Sequence, residues 1–179
     1  MKNIVIVVYY VFLQFLPMKP FPFYSVGYYL RRIAARALFK HTGKEIVVKS
    51  RCYFGDGSRL SVGDFSQLSQ GGRFNGTISI GEYVLMGPDV IMMATSHEYE
   101  EIDIPIMLQG EAEEREIRVG DGVWLGARSI ILPGVCIGDH SIVASGSVVT
   151  RSFGPYSIIG GVPARLIKIR GDENAESKG

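Results

Sequence analysis

The stretch VGDGVWLGARSIILPGVCIGDHSIVASGSVVT, residues Val119–Thr150, repeats every six positions. Stepping by six from Val119 meets Leu125, Ile131, Ile137, Val143 and Val149, all aliphatic. The residue after each is Gly120, Gly126, Leu132, Gly138, Ala144 and Thr150, mostly small. Upstream, the same step from Val62 meets Leu68, Phe74, Ile80, Met86 and Met92, with Gly63, Gly81 and Gly87 following. Twelve apolar residues in twelve steps lie far outside chance for a chain that is 46% hydrophobic. A helix renews its apolar stripe every three or four residues, so a period of six excludes one. It fits a short strand followed by a tight turn. Residues two apart on a strand share a face, so each repeated position and the one two places before it point inward together. A flat sheet would leave open edges, whereas coiling stacks each hexad on another. The fold class expected is an all-β solenoid, a parallel β-helix of hexapeptide repeats.

Two breaks interrupt the repeat. The interval from Met92 to Val119 is 27 residues, not a multiple of six, so residues 97–117 form an excursion from the coil. Val48, Phe54 and Leu60 keep the six-residue step but run two places out of phase with Val62. Before them, Tyr24 to Lys40 reads as an amphipathic helix with Arg31, Arg32, Arg36 and Lys40 on one face. The chain then divides into an apolar and helical cap segment (1–44), a coil with its protruding loop (45–170) and a frayed tail (171–179).

The 179 residues carry 19 Lys+Arg and 18 Asp+Glu, a net charge of +1. Such neutrality argues against a nucleic-acid binder, which needs a basic surface. The charges are nonetheless segregated. Residues 1–51 hold nine basic side chains and one acid, residues 98–116 hold eight acids and only Arg115, and Thr150–Arg170 holds four basic residues and no acid. The two cysteines, Cys52 and Cys136, make neither a disulfide framework nor a metal cluster and suit a reducing, cytoplasmic compartment. The apolar run Ile4–Leu16 is thirteen residues, short of the roughly twenty that span a bilayer, and no cleavage site of a signal peptide follows it. Residues 1–40 combine apolar and basic character. That suits either a cap on the open end of the coil or a peripheral contact with an anionic membrane surface.

The stretches Val119–Lys168 and Ile78–His97, with their VWLG, SGSVVT and GVPAR signatures, resemble the hexapeptide-repeat acyltransferases. These are left-handed β-helix enzymes that include galactoside, maltose and serine acetyltransferases. PIMLQG (Pro105–Gly110) is similar to the branch that O-acetylates cell-surface polysaccharide sugars. The resemblance implies a homotrimer with active sites between neighbouring solenoids, acetyl-CoA as cosubstrate, a sugar acceptor, and no metal. It implies that His97, at the start of the excursion, is the general base. It further implies that Arg151, Arg165 and Lys168, with Thr150 alongside, meet the coenzyme A phosphates, and that the Ala127 and Ser145 backbones meet the pantetheine arm. The family more often has alanine where Ser145 stands. Gln67 and Asn75 fall at acceptor-binding positions, where the galactoside and maltose branch usually has Asn and Asp.

The chemistry of these residue types agrees. Acyl transfer from a thioester to a hydroxyl requires removal of the hydroxyl proton as the oxygen attacks, and imidazole, with its pKa near 6.5, does this near neutral pH. Glu98, Glu100 or Asp103 could orient the ring. Zinc carbonic anhydrases of the same fold need a pair of histidines five apart, which His41, His97 and His140 do not supply. Trp124, the sole tryptophan, either walls the cleft or packs on the flank of the coil. The apolar centre of the acidic excursion, Ile102–Leu108, implies packing against a neighbouring subunit. Two rival readings stand beside O-acetylation: N-acetylation of an aminosugar, and a non-catalytic solenoid scaffold.

Overall fold

The computed structural model describes residues 2–172; the end of the expected tail, 173–179, lies outside them. The hexads form a parallel β-solenoid of triangular section, one hexad to a face. The first face stacks His41–Thr42, Leu60–Val62, Ile78–Ile80, Ile117–Val119 and Cys136–Ile137. The second runs from Val47–Val48 and Gln67–Leu68 through Leu85–Met86, Trp124–Leu125 and Ile142–Val143 to Ser157–Gly161, which is covered by the antiparallel strand Ala164–Ile169. The third stacks Arg73–Asn75, Ile91–Met93, Ile130–Ile131 and Val148–Val149.

All twelve repeated positions are buried, together with the residue two places before each: Leu60, Val84, Val123 and Ser141, for example. Several of those places hold serine, and at Ser66 and Ser141 the hydroxyl ties one coil to another. Ser66 Oγ donates to Gly81 O at 2.7 Å and accepts from Val84 N at 2.9 Å, so a buried polar atom is satisfied inside the turn. Glycine after the repeated position lets stacked turns touch: a Cβ on Gly126 would come within 2.5 Å of the Ser145 amide nitrogen.

The register locates both breaks. Leu60 pairs with Ile78, 18 positions on, but Ile78 pairs with Ile117, 39 positions on, so 21 residues leave the coil between those levels. At the start, Val47 pairs with Gln67, 20 positions on. The two additional residues lie between Phe54 and Val62, in the turn Gly55–Ser58, and they produce the two-place phase slip. Helix α1 (Lys2–Val11) docks on that turn: the Tyr10 hydroxyl donates to Gly55 O at 2.9 Å and accepts from Phe54 N at 3.0 Å.

Helix α2 (Tyr24–Leu38) packs against α1 and the first coil. It ends at Leu38, short of Lys40, and its three basic residues, Arg31, Arg32 and Arg36, do not share an exposed face. Arg31 is fully buried, donating through Nε to Val48 O at 2.7 Å and through Nη1 to Leu13 O and Leu16 O at 3.1 and 2.9 Å. It satisfies carbonyls at the end of the first helical segment and in the first coil, which is why a cation is held there without a carboxylate. Arg32 pairs with Glu45, leaving Arg36 and Lys40 exposed. The helix pair thus caps the open end of the solenoid. No helix among the described residues is long and apolar enough to cross a membrane.

Candidate active site

The excursion leaves the coil at the corner between the third and first faces. Its neck is a short antiparallel pairing: His97 bridges Glu111, Glu98 N donates to Gly110 O at 3.1 Å, and Ala112 N donates to Ser96 O at 3.0 Å. A single turn of helix, α3 (Ile106–Gln109), sits at the tip. Gln109 clamps it, accepting from Glu101 N at 3.1 Å and donating to Glu101 O and Ile104 O, both at 2.7 Å.

Five of the eight acids divide between two roles. Glu114 accepts from the Thr77 amide and from Arg59, and Glu116 accepts from Ser79 Oγ at 2.7 Å and Arg118 Nε at 2.8 Å. Both bind the loop root to the first face. Hydrogen bonding from Thr77 and from Ser79, respectively, holds each carboxyl below its ordinary range. Glu98, Glu100 and Glu113 instead line a cleft of about 410 Å³ with His97, Tyr99, Arg115 and Thr150. Its floor is coil: Leu132 and Thr150 stand 18 residues apart, one directly above the other, beside Pro133. His97 and Thr150, 53 positions apart in sequence, therefore share one opening. Arg115 also lines it, with its aliphatic stem over Gly134. Sequence reasoning registered Arg115 only as the single base among acids, and that oddity was the available signal.

The other expected residues lie elsewhere. Ala127 and Ser145 stack at the corner between the second and third faces, lining a depression of about 490 Å³ with Pro88, Asp89 and Arg128. Among the described residues, neither of their amides donates a hydrogen bond within the chain. Arg151 lies over the Phe153 ring. Arg165 and Lys168 stand on the closing antiparallel strand, paired with Gly160 and Ile158. Gln67 is on the second face, in a cleft with Lys19, Tyr24, Tyr28 and Lys49. Asn75, on the third face, donates to Thr95 Oγ1 at 2.9 Å near the loop root. The two do not meet. Trp124 is half-exposed on the second face, in register with Leu85 and Ile142, and is outside the His97 cleft.

Comparison with known proteins decides the family. The bacterial transferase hexapeptide (six repeats) family matches residues 116–151. The galactoside O-acetyltransferase of Escherichia coli (strain K12) is 31% identical over 140 residues, covering 77% of this chain and 68% of that protein. The chain belongs to the hexapeptide-repeat acetyltransferases. It is an acetyl-CoA-dependent acyltransferase of the sugar O-acetyltransferase branch. Among solved structures, a galactoside acetyltransferase in complex with coenzyme A superposes on the acetyltransferase with a TM-score of 0.76 at 26% identity, over 97% of this chain and 80% of that one. A hexapeptide-repeat acetyltransferase from Vibrio cholerae O1 biovar eltor, complexed with acetyl coenzyme A, gives 0.76 at 25% identity, over 94% and 84%.

Proposed function

We propose that this acetyltransferase moves an acetyl group from acetyl-CoA to a hydroxyl of a saccharide in cell-surface polysaccharide biosynthesis, with His97 as general base. The observation that carries the reading is the shared cleft of His97 and Thr150, built where a 21-residue excursion meets the coil. The imidazole takes the acceptor proton as the hydroxyl oxygen attacks the thioester carbon. The tetrahedral oxyanion then collapses, the C–S bond breaks, and the imidazolium returns the proton to the departing thiolate. An oriented backbone N–H near the thioester stabilises the oxyanion. The open amides of Ala127 and Ser145 receive the pantetheine arm, and Arg151, Arg165 and Lys168 the phosphates. Gln67 and Asn75 contact the acceptor.

The two halves of this site lie on different corners of one chain, and a homotrimer reunites them. A closed ring joins one patch on each protomer to a different patch on the next. Past the early coils that carry Gln67, Arg73 and Asn75, the outward residues of the second and third faces are apolar and at least part-exposed (Leu85, Trp124, Ile91, Ile130), whereas Ser61, Ser79 and Arg118 make the first face polar. Two apolar faces are what a ring member needs. The exposed Ile102, Met107 and Leu108 of the excursion add apolar surface beside the cleft for the neighbouring subunit to cover. We place the enzyme in the cytoplasm, peripheral at the inner face of a membrane through residues 1–40. The free thiols Cys52 and Cys136 support a reducing compartment.

Release of coenzyme A thiol, followed with acetyl-CoA and a panel of hydroxyl and amino saccharides, tests the reading. We expect turnover with a hydroxyl acceptor and its loss in His97→Ala. An amino acceptor preferred over every hydroxyl would turn the assignment to N-transfer, and failure to bind coenzyme A would leave only a scaffold.

A further inference from the structure

Helix α1 is apolar on two opposite sides. Val5, Ile6, Tyr9, Tyr10 and Leu13 face the solenoid and α2. Ile4, Val7, Val8 and Val11, continued by Phe15, follow the spacing i, i+3, i+4, i+7, i+11 on the reverse side and are exposed. Within the helix only Lys2 and Asn3 are polar. A helix apolar all round is stable when both sides are covered, and an exposed apolar stripe of this kind marks an interaction surface.

The charge beside the stripe selects the occupant. Residues 1–44 contain no Asp or Glu. Phe15 and Phe21 line a cleft of about 430 Å³ together with Lys19 and Arg51, and Lys19 also lines the adjoining cleft that holds Lys49. Lys49 is half-buried, its ammonium donating to Met86 O at 3.1 Å and meeting no carboxylate among the described residues. Three cations thus border an aromatic rim. A second copy of the chain docking through the same face would bring these cations against their own kind, whereas a surface of anionic phosphates complements them.

We propose that the helix pair α1–α2 seats the enzyme in the plane of an anionic phospholipid surface. The stripe Ile4, Val7, Val11 and Phe15 enters the acyl boundary, and Lys19 and Arg51 meet lipid phosphates. The inference rests on the peripheral position proposed above and is independent of the chemistry at His97.

Co-sedimentation of the full chain with vesicles tests it, comparing phosphatidylcholine alone with phosphatidylcholine containing phosphatidylglycerol. We expect binding to the anionic vesicles that weakens with salt, and little to the neutral ones. Lys19→Gln with Arg51→Gln should lower the partition about fivefold per charge removed. Val7→Gln with Val11→Gln and Phe15→Gln, all at exposed positions, should lower it at least tenfold. Absence of binding, equal binding to both vesicle types, or an unaltered partition in the apolar variant would overturn the proposal. So would a fall in solution mass in that variant, which would give the stripe to a second copy. Coenzyme A titration of the same variants separates this failure from failure of the acetyltransferase reading, because the clefts at His97 and Ala127 contain none of the substituted residues.

Discussion

The coil from Ile117 to Thr150 and the excursion from Ser96 to Glu116 adjoin in sequence, yet they are ordered by different means. In the coil a residue's surroundings follow from its phase: Ile131 sits between Met92 and Val149, as every inward residue sits between others of the same phase. In the excursion no phase exists, and shape comes from side chains used once, such as Gln109 at the tip and Glu114 and Glu116 at the root. Inside the repeat, a histidine on the inward phase would be surrounded by aliphatics. Where the repeat stops, an exposed imidazole can be aimed over coil residues whose own positions are rigid. Rigidity comes from one region and, with His97 as the proposed base, reactivity from the other.

The comparison is broken most severely at His97. His97→Ala should lower kcat by about 10² to 10⁴, the usual contribution of a general base, while thermal midpoint and coenzyme A affinity stay as in the wild type. A comparable loss of stability would mean that the imidazole holds the loop together instead. The matching test in the coil is Leu125→Ala. Its side chain is fully buried, so truncation should cost about 2–5 kcal/mol, read as a lower denaturant midpoint. Specific activity of the folded protein should be kept, since Leu125 lies outside the cleft.

The two regions also differ in how far the amino-acid sequence discloses them. Phase alone locates every buried repeat position and the excursion (through an interval that six does not divide), and it shows that a two-place slip exists. It groups Leu60 with Val48 and Phe54, whereas the register pairs Leu60 with Ile78 and so moves the slip back to Gly55–Ser58. Phase also separates Gln67 from Asn75: eight residues are more than one hexad, so they stand on different faces. What phase does not report is the use of single side chains. Arg31 shares helical spacing with Arg32 and Arg36, and only the docking of α1 reveals that its guanidinium serves carbonyls of Leu13, Leu16 and Val48. Arg115 enters the His97 cleft because the loop folds back on Gly134, a tertiary event with no periodic signature. The excursion was legible as an interruption, but its acids divide into anchors and cleft walls only in three dimensions.

That division gives the smallest effect, and it discriminates most finely between the regions. Glu114→Gln removes the charge that accepts from Thr77 and Arg59, at a cost of about 1–2 kcal/mol confined to the loop root. Protease nicking within residues 97–113 should rise and kcat should fall several-fold, while the denaturant midpoint of the coil moves little. Acid should reproduce the change in the wild type. The Glu114 and Glu116 carboxyls titrate below the ordinary 4.5 when folded, so their anchoring is complete above pH 4.5 and is lost as pH falls through the lower folded values. Nicking of the wild-type loop should therefore increase below about pH 4.5, before the coil melts. Glu114→Gln should be nicked faster already at neutral pH and show a flatter acid dependence. Loop and coil loosening together at one pH would mean that the excursion is ordered by the repeat after all.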